Sequence, residues 1–176
     1  MARPKPDKSA LLSALAAHVL ENGLNTASLR PMASAAGTSD RMLIYHFGSK
    51  DALIAELLEH LAAQMAVGLD AALPSTPFES DRALVLQVVQ LMRSDPFRPY
   101  SRVWLDIISA SAQGQSAHLE AGGKIIDTFL AWLAARHPDG EARAAVLLTL
   151  IEGILVMDGV GRSDIADAAI EALPGA

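Results

Sequence analysis

Residues 28–53 read SLRPMASAAGTSDRMLIYHFGSKDAL. Ser28 suits a helix N-cap, Pro31 falls in the first turn, where its missing N–H costs little, and Gly37 supplies a stop. A very short helix is therefore predicted between Ser28 and Gly37, and another from Thr38 or Ser39 to about Tyr45. Within the stretch Ala33, Gly37 and Leu43 stand four and six residues apart. Two closely crossing helices joined by a tight turn need such a set: a small residue at the crossing, a glycine free to take a left-handed turn conformation, and an apolar residue packing inward. Taken alone the pattern is not specific, because Ala-rich chains meet it by accident.

Outward from this stretch every periodic segment reads as helix. Upstream, Leu12, Leu15, Ala16 and Val19 fall on one face of a helix from Lys8 to Asn22, stopped by Gly23. Downstream, Ser49 offers an N-cap, and Ile54, Leu57, Leu58, Leu61, Met65, Leu69 and Ala72 form one stripe of a long helix that stops at Leu73-Pro74. After a loop at Pro74 to Pro77 come helices marked by Leu84 to Met92, with a break at Pro96 and Pro99, by Tyr100 to Ser111, and by Leu119 to Leu133 before His137-Pro138. Glu141 to Gly159 is apolar nearly all round, as a helix covered on both sides would be, and a short helix near Asp164 to Leu173 closes the series. The fold class is all-α. With 176 residues, 51% of them hydrophobic, the chain can bury a substantial core.

Composition excludes several function classes. With no cysteine there is no disulfide framework and no thiol nucleophile, which fits a cytoplasmic protein. No signal-peptide core follows the N-terminal basic residues. The most apolar stretch, Ala144 to Met157, is shorter than the roughly 20 residues of a membrane span and carries Thr149 and Glu152, so no membrane partner is expected. The five histidines, His18, His46, His60, His118 and His137, make no HxxxH pair, and there is no phosphate-binding glycine loop and no GxSxG elbow. Glu56 with Glu59, and Asp164 with Asp167, read as exposed helix-face charges. Neither catalysis nor a metal or cofactor is expected.

Net charge is −6 overall, yet residues 1–50 hold six basic side chains (Arg3, Lys5, Lys8, Arg30, Arg41, Lys50) against three acidic ones (Asp7, Glu21, Asp40). A mildly basic module joined to an acidic body suits a protein that meets a polyanion with one end only.

The run Tyr45-His46-Phe47-Gly48-Ser49-Lys50-Asp51-Ala52-Leu53 resembles the signature that ends the DNA-binding domain of the TetR family of repressors, and the resemblance extends back through Gly23, Ser28-Leu29-Arg30, Met32-Ala33 and Ala36-Gly37. It covers about the first 55 residues. It implies a helix-turn-helix domain over 1–48 and a helical ligand-binding and dimerisation bundle over 49–176. The implied protein is a homodimeric repressor that binds a palindromic DNA operator and is released by a small hydrophobic or amphipathic inducer. The alternative is a dimeric DNA-binding regulator without a small-molecule ligand, controlled by a protein partner or by abundance.

Carried over by position, Thr38 to Tyr45 becomes the recognition helix, with Ser39, Asp40, Arg41 and Met42 as its exposed readers. Arg41 is suited to bidentate hydrogen bonds with guanine, and Met42 to a thymine methyl. Ser28, Arg30, Tyr45, His46 and Lys50 match positions that meet phosphate, with Lys50 beside the helix start at Ser49. Tyr45 and Phe47 serve equally well as core residues at this spacing. Three positions depart from the family pattern: Thr38 replaces a small apolar residue, Asp40 a frequent Lys, and Ile44 a frequent Tyr.

In the body, the resemblance implies that two late helices, Ser116 to Arg136 and Gly140 to Gly159, pair with their symmetry mates. Gly122, Phe129, Leu148, Ile151, Leu155 and Gly159 are the candidate interface residues, and a monomeric core accounts for the same pattern. Met65, Met92, Trp104, Ile108 and Phe129, with Arg98, Arg102 or Asp106 as polar partners, are the candidates for an inducer pocket. Their helical spacing suits plain core packing too.

Overall fold

The computed structural model describes residues 7–24 and 28–175. Among these residues the chain is helical throughout, with nine α-helices: α1 (Lys8–Asn22), α2 (Leu29–Ala35), α3 (Asp40–Phe47), α4 (Lys50–Ala72), α5 (Asp81–Met92), α6 (Arg98–Ala112), α7 (Ser116–Ala134), α8 (Glu141–Gly159) and α9 (Ser163–Glu171).

Local chemistry sets the boundaries. Asp7, Ser39, Ser49 and Ser80 each accept a hydrogen bond from a backbone N–H three residues on, capping α1, α3, α4 and α5. At the end of α2 the Thr38 N–H reaches the Ala33 carbonyl at 2.9 Å and the Gly37 N–H reaches that of Ser34 at 3.1 Å. These are the paired bonds of a Schellman close, which needs a left-handed residue, and Gly37 has φ +63°. Pro99 lies at the start of α6 rather than ending a helix, because a residue in the first turn needs no N–H partner.

Two apolar clusters build the interior. One joins α1, α2 and α3 to the first half of α4 and to α6 and α7, through Leu15, Val19, Met32, Leu43, Leu57 and Ile107. The head's core therefore does not close at residue 48 but continues along α4. The second joins the far half of α4 to α5, α7, α8 and α9, through Leu69, Leu84, Val89, Leu147 and Ile154. Trp104 and Phe129 pack against both clusters and mark the seam between them. α4 is long and apolar enough for a membrane span by composition alone. Its stripe is spent on these two cores.

Polar locks tie down the far end of the body. Arg93 forms a two-pronged bond with Asp158 (2.8 Å each) and a further one with Asp167 (2.7 Å), pinning α5 to α8 and α9. Asp81, only 11% exposed, accepts from His137 at 2.9 Å and from Arg143 Nε at 2.7 Å, fixing the start of α5 to the turn between α7 and α8.

Candidate nucleic-acid interface and the cavity behind it

The apolar positions of α3 orient it. Leu43 and Phe47 are buried against α1, α2 and α4, so the opposite face must point outward, and Asp40, Arg41 and Tyr45 lie on it. Arg41 and Tyr45, one turn apart, stand side by side on that face. Tyr45 is 75% exposed, which settles the choice between core and surface for that residue, while Phe47 is 5% exposed and is core. The Lys8 ammonium sits 5.0 Å from the Phe47 ring centre and pairs with Glu56 at 2.7 Å, so it braces α1 against α4.

Ser28, Arg30, Ser39 and Lys50 are exposed around α3. Arg30 and Arg41 hold no ion pair among the described residues, so both guanidinium groups remain available. Thr38, Met42 and His46 are half-buried, and Met42, expected to be fully outward, turns partly toward the core because it flanks Leu43. His46 meets the Tyr45 ring edge-on at 5.4 Å. Ser39 caps its own helix through the Met42 N–H at 3.3 Å, and Asp40 lies in the first turn of α3, where a carboxylate faces the positive end of the helix dipole. His118, on α7, faces the start of α4, where burial first and the Lys50 charge second hold its imidazole below the usual value, against the pull of Asp51.

Behind the head, at the seam of the two clusters, lies an apolar cavity of about 70 Å³. Met65, Met92, Trp104 and Phe129 line it as expected, together with Tyr100, Trp132 and Glu152, which sequence reasoning missed. Arg98, Arg102, Asp106 and Ile108 do not. Arg98 is exposed and pairs with Asp95, and Ile108 points to the surface. Arg102 and Asp106 turn toward the head: Arg102 donates to the carbonyls of Leu20 and Glu21 (3.0 Å for the latter), and Asp106 accepts from the Leu24 N–H at 2.9 Å. One face of α6 therefore grips the end of α1 while Tyr100, Val103, Trp104 and Ile107 on another line the cavity.

The candidate interface residues sit differently from expectation. Leu148, Ile151 and Leu155 are buried within the subunit and line the cavity, as does Phe129. Gly122 faces Ile107 and Ser111 of α6 at ordinary contact distance, and a Cβ on Gly159 would lie 2.7 Å from the Leu105 side chain, so both glycines face neighbours inside one chain and Gly159 serves a close approach there. The outward face of α8 carries Ala145, Val146, Thr149, Gly153 and Val156 instead, with Val146 51% exposed. Because α8 is apolar on every side, period alone cannot say which stripe faces out.

Residues 8–57 match the family model described as bacterial regulatory proteins, tetR family. Among solved structures, a TetR transcription regulator from Haloarcula marismortui ATCC 43049 is similar with TM-score 0.69 and 17% identity, over 94% of this chain and 96% of its own. A transcriptional regulator from Rhodococcus sp. Rha1 gives 0.65 and 23%, over 93% and 91%. The multidrug binding protein EbrR, complexed with imidazole, gives 0.65 and 20%, over 98% of each chain. No curated protein matches the chain in sequence.

Proposed function

We propose that the chain is a TetR-family DNA-binding transcription regulator and not an enzyme, a homodimeric, cytoplasmic repressor released from a palindromic operator by a small apolar or amphipathic inducer; the match of residues 8–57 to the model of bacterial regulatory proteins, tetR family, supports the reading. The domains divide near residue 48 in role: reading DNA before it, dimerisation and ligand binding after it. Arg41 and Tyr45 lead the reading face, with Thr38, Ser39, Asp40 and Met42 beside them, while Ser28, Arg30, His46 and Lys50 meet phosphate. Dimerisation uses the outward stripe of α8 with the adjacent face of α7, because an exposed run of Val, Ala and Gly on a long helix is apolar surface left uncovered in one chain. The structural neighbour EbrR, a multidrug binding protein, supports a ligand in the body.

The observation that carries the regulatory part is the double duty of α6. It lines the cavity with Trp104 and holds α1 with Arg102 and Asp106. A ligand that pushes α6 outward drags the head with it, and a shift of a few Å spoils registry with half-sites about 34–36 Å apart.

The test is selection of binding sites from a genomic fragment pool at two salt concentrations, with Arg41→Ala and Lys50→Ala alongside. The expected result is a palindrome whose sequence preference is lost in Arg41→Ala, at a cost of about 1–3 kcal/mol, and whose binding is weakened on every sequence, with a shallower salt slope, in Lys50→Ala. No enriched fragment even at low salt would overturn the reading.

A further inference from the structure

We propose that the cavity takes a lipophilic ammonium ligand, with Glu152 as its counter-charge; this rests on the reading of the cavity as the inducer site. Glu152 is the one carboxylate among the described lining residues, and no Lys, Arg or His lines the cavity with it. Its Oε2 accepts from the Trp104 indole N–H, and its Oε1 has no hydrogen-bond partner among the described residues. Glu152 is half-buried, with a single protein donor and an Oε1 that keeps some accessible surface, so its charge is only partly satisfied in an otherwise apolar wall and a cationic partner would stabilise it. Satisfying the indole N–H needs only a neutral acceptor, so the charge is surplus to packing.

The remaining walls suit the same guest. Tyr100, Trp104 and Phe129 line the cavity with aromatic rings, whose faces attract cations, while the Trp132 ring already carries the Arg136 guanidinium 4.0 Å from its centre. Burial pushes the Glu152 carboxyl above its usual range, with the Trp104 N–H pulling the other way, and an entering ammonium supplies the charge that restores the ionised form. An anionic guest meets the opposite field: a carboxylate on the wall and no cation to receive it. At about 70 Å³ the cavity is smaller than the roughly 150 Å³ that holds a benzene ring, so a guest enters only as the seam between the two clusters widens, and the probes are kept small.

Phenyltrimethylammonium and its uncharged isostere tert-butylbenzene differ chiefly in charge, and benzoate, smaller and planar, supplies an anion on the same ring. Both tryptophans of the chain line the cavity, so intrinsic fluorescence, with the shift in melting temperature as a second readout, reports occupancy. The expected result is an affinity for the ammonium about tenfold above that for the isostere, falling to parity in Glu152→Gln while the isostere binds as before. If Glu152→Gln fails to fold, the ranking of the three probes on the unaltered chain decides. Equal or tighter binding of tert-butylbenzene or benzoate to the unaltered chain overturns the ammonium assignment and leaves the inducer reading standing. Binding of none of the three overturns both.

Discussion

The head and the body are built from the same Leu, Ala and Val, yet one is filled and the other is hollow. In the head, Leu11, Leu15, Val19, Met32 and Leu43 are each 1% exposed or less and interlock around the small Ala33, while its candidate functional groups, Arg41, Tyr45, Arg30 and Lys50, stand outside. In the body, two apolar clusters meet around a cavity, and the candidate functional group, Glu152, points in. A reader of DNA has to hold its outer side chains in fixed register, which a close-packed core supplies. A sensor has to yield to a guest, which a seam between two cores permits.

The largest effect expected from this contrast is that of Leu43→Ala, which leaves a void behind the recognition helix. Stability should fall by roughly 2–5 kcal/mol in denaturant titration, with operator affinity falling alongside. A cost below about 1 kcal/mol would mean that the head collapses around the void and is not close-packed, and the contrast would fail.

A matched pair of enlargements sharpens the comparison. Ala33, 2% exposed at the helix crossing of the head, has no room to grow, and Ala33→Leu should cost about 1–3 kcal/mol by forcing α1, α2 and α3 apart. Ala62 lies in the cavity wall, so Ala62→Leu fills space that is already empty. It should leave thermal stability unchanged or raise it by up to about 1 kcal/mol, and it should abolish the ligand's effect on operator binding. Equal penalties at the two positions would show that the cavity is not open space.

The same contrast explains how much was legible in the sequence. The head's ends and turns follow from single residues with one physical use each, Ser39, Ser49 and Gly37, and its reading face follows from where Leu43 and Phe47 must go. All nine helices are readable in this way, because caps and apolar period are local. The body's contacts are not local. Trp104 and Met92 have the same spacing whether they fill a core or line a hole, and α8 offers apolar residues to both of its faces, so Leu148, Ile151 and Leu155 read as surface stripes and turn out to be interior. Arg102 and Asp106 look like pocket polar groups because they share α6 with Trp104. Two residues of offset on a helix turn them by about half a revolution, toward α1 instead. The one available signal for the cavity was Glu152, the single charged residue in the apolar run from Ala144 to Met157.

That turn of α6 yields a smaller effect, on communication rather than stability. Arg102 is exposed and its bonds run to the carbonyls of Leu20 and Glu21, so Arg102→Ala should leave the melting temperature nearly unchanged. Operator affinity of the ligand-free protein should persist, whereas the loss of affinity on adding ligand should shrink by about tenfold, the scale of an ordinary coupling energy. An undiminished ligand effect would move the coupling from α6 to α4, which also runs from the head into the body.

The smallest effect separates the two regions by acid. The body is locked at its far end through Asp81, whereas among the described residues the head is held by apolar contacts, by the exposed pair Lys8–Glu56 and by the bonds of Arg102 and Asp106 to the end of α1. The hydrogen bond from Arg143 holds the Asp81 carboxyl below the usual carboxylate range, partly opposed by burial and aided by the charge of Arg143 and the contact with His137. A carboxylate depressed in the folded state binds its proton more weakly there than in the unfolded chain, so its contribution is complete above the unfolded value of about 3.9 and is lost as pH falls through the folded value. Trp132 packs against the body's cluster only, so the emission of a Trp104→Phe chain follows the body alone. In acid titrations at a fixed sub-denaturing urea concentration, the emission change should precede any loss of operator binding that is traceable to the head. Asp81→Asn should be less stable at neutral pH and flatter through the acid range. Parallel acid curves for the two proteins would place the acid-sensitive lock elsewhere, with Asp158, the partner of Arg93, as the next carboxylate to change.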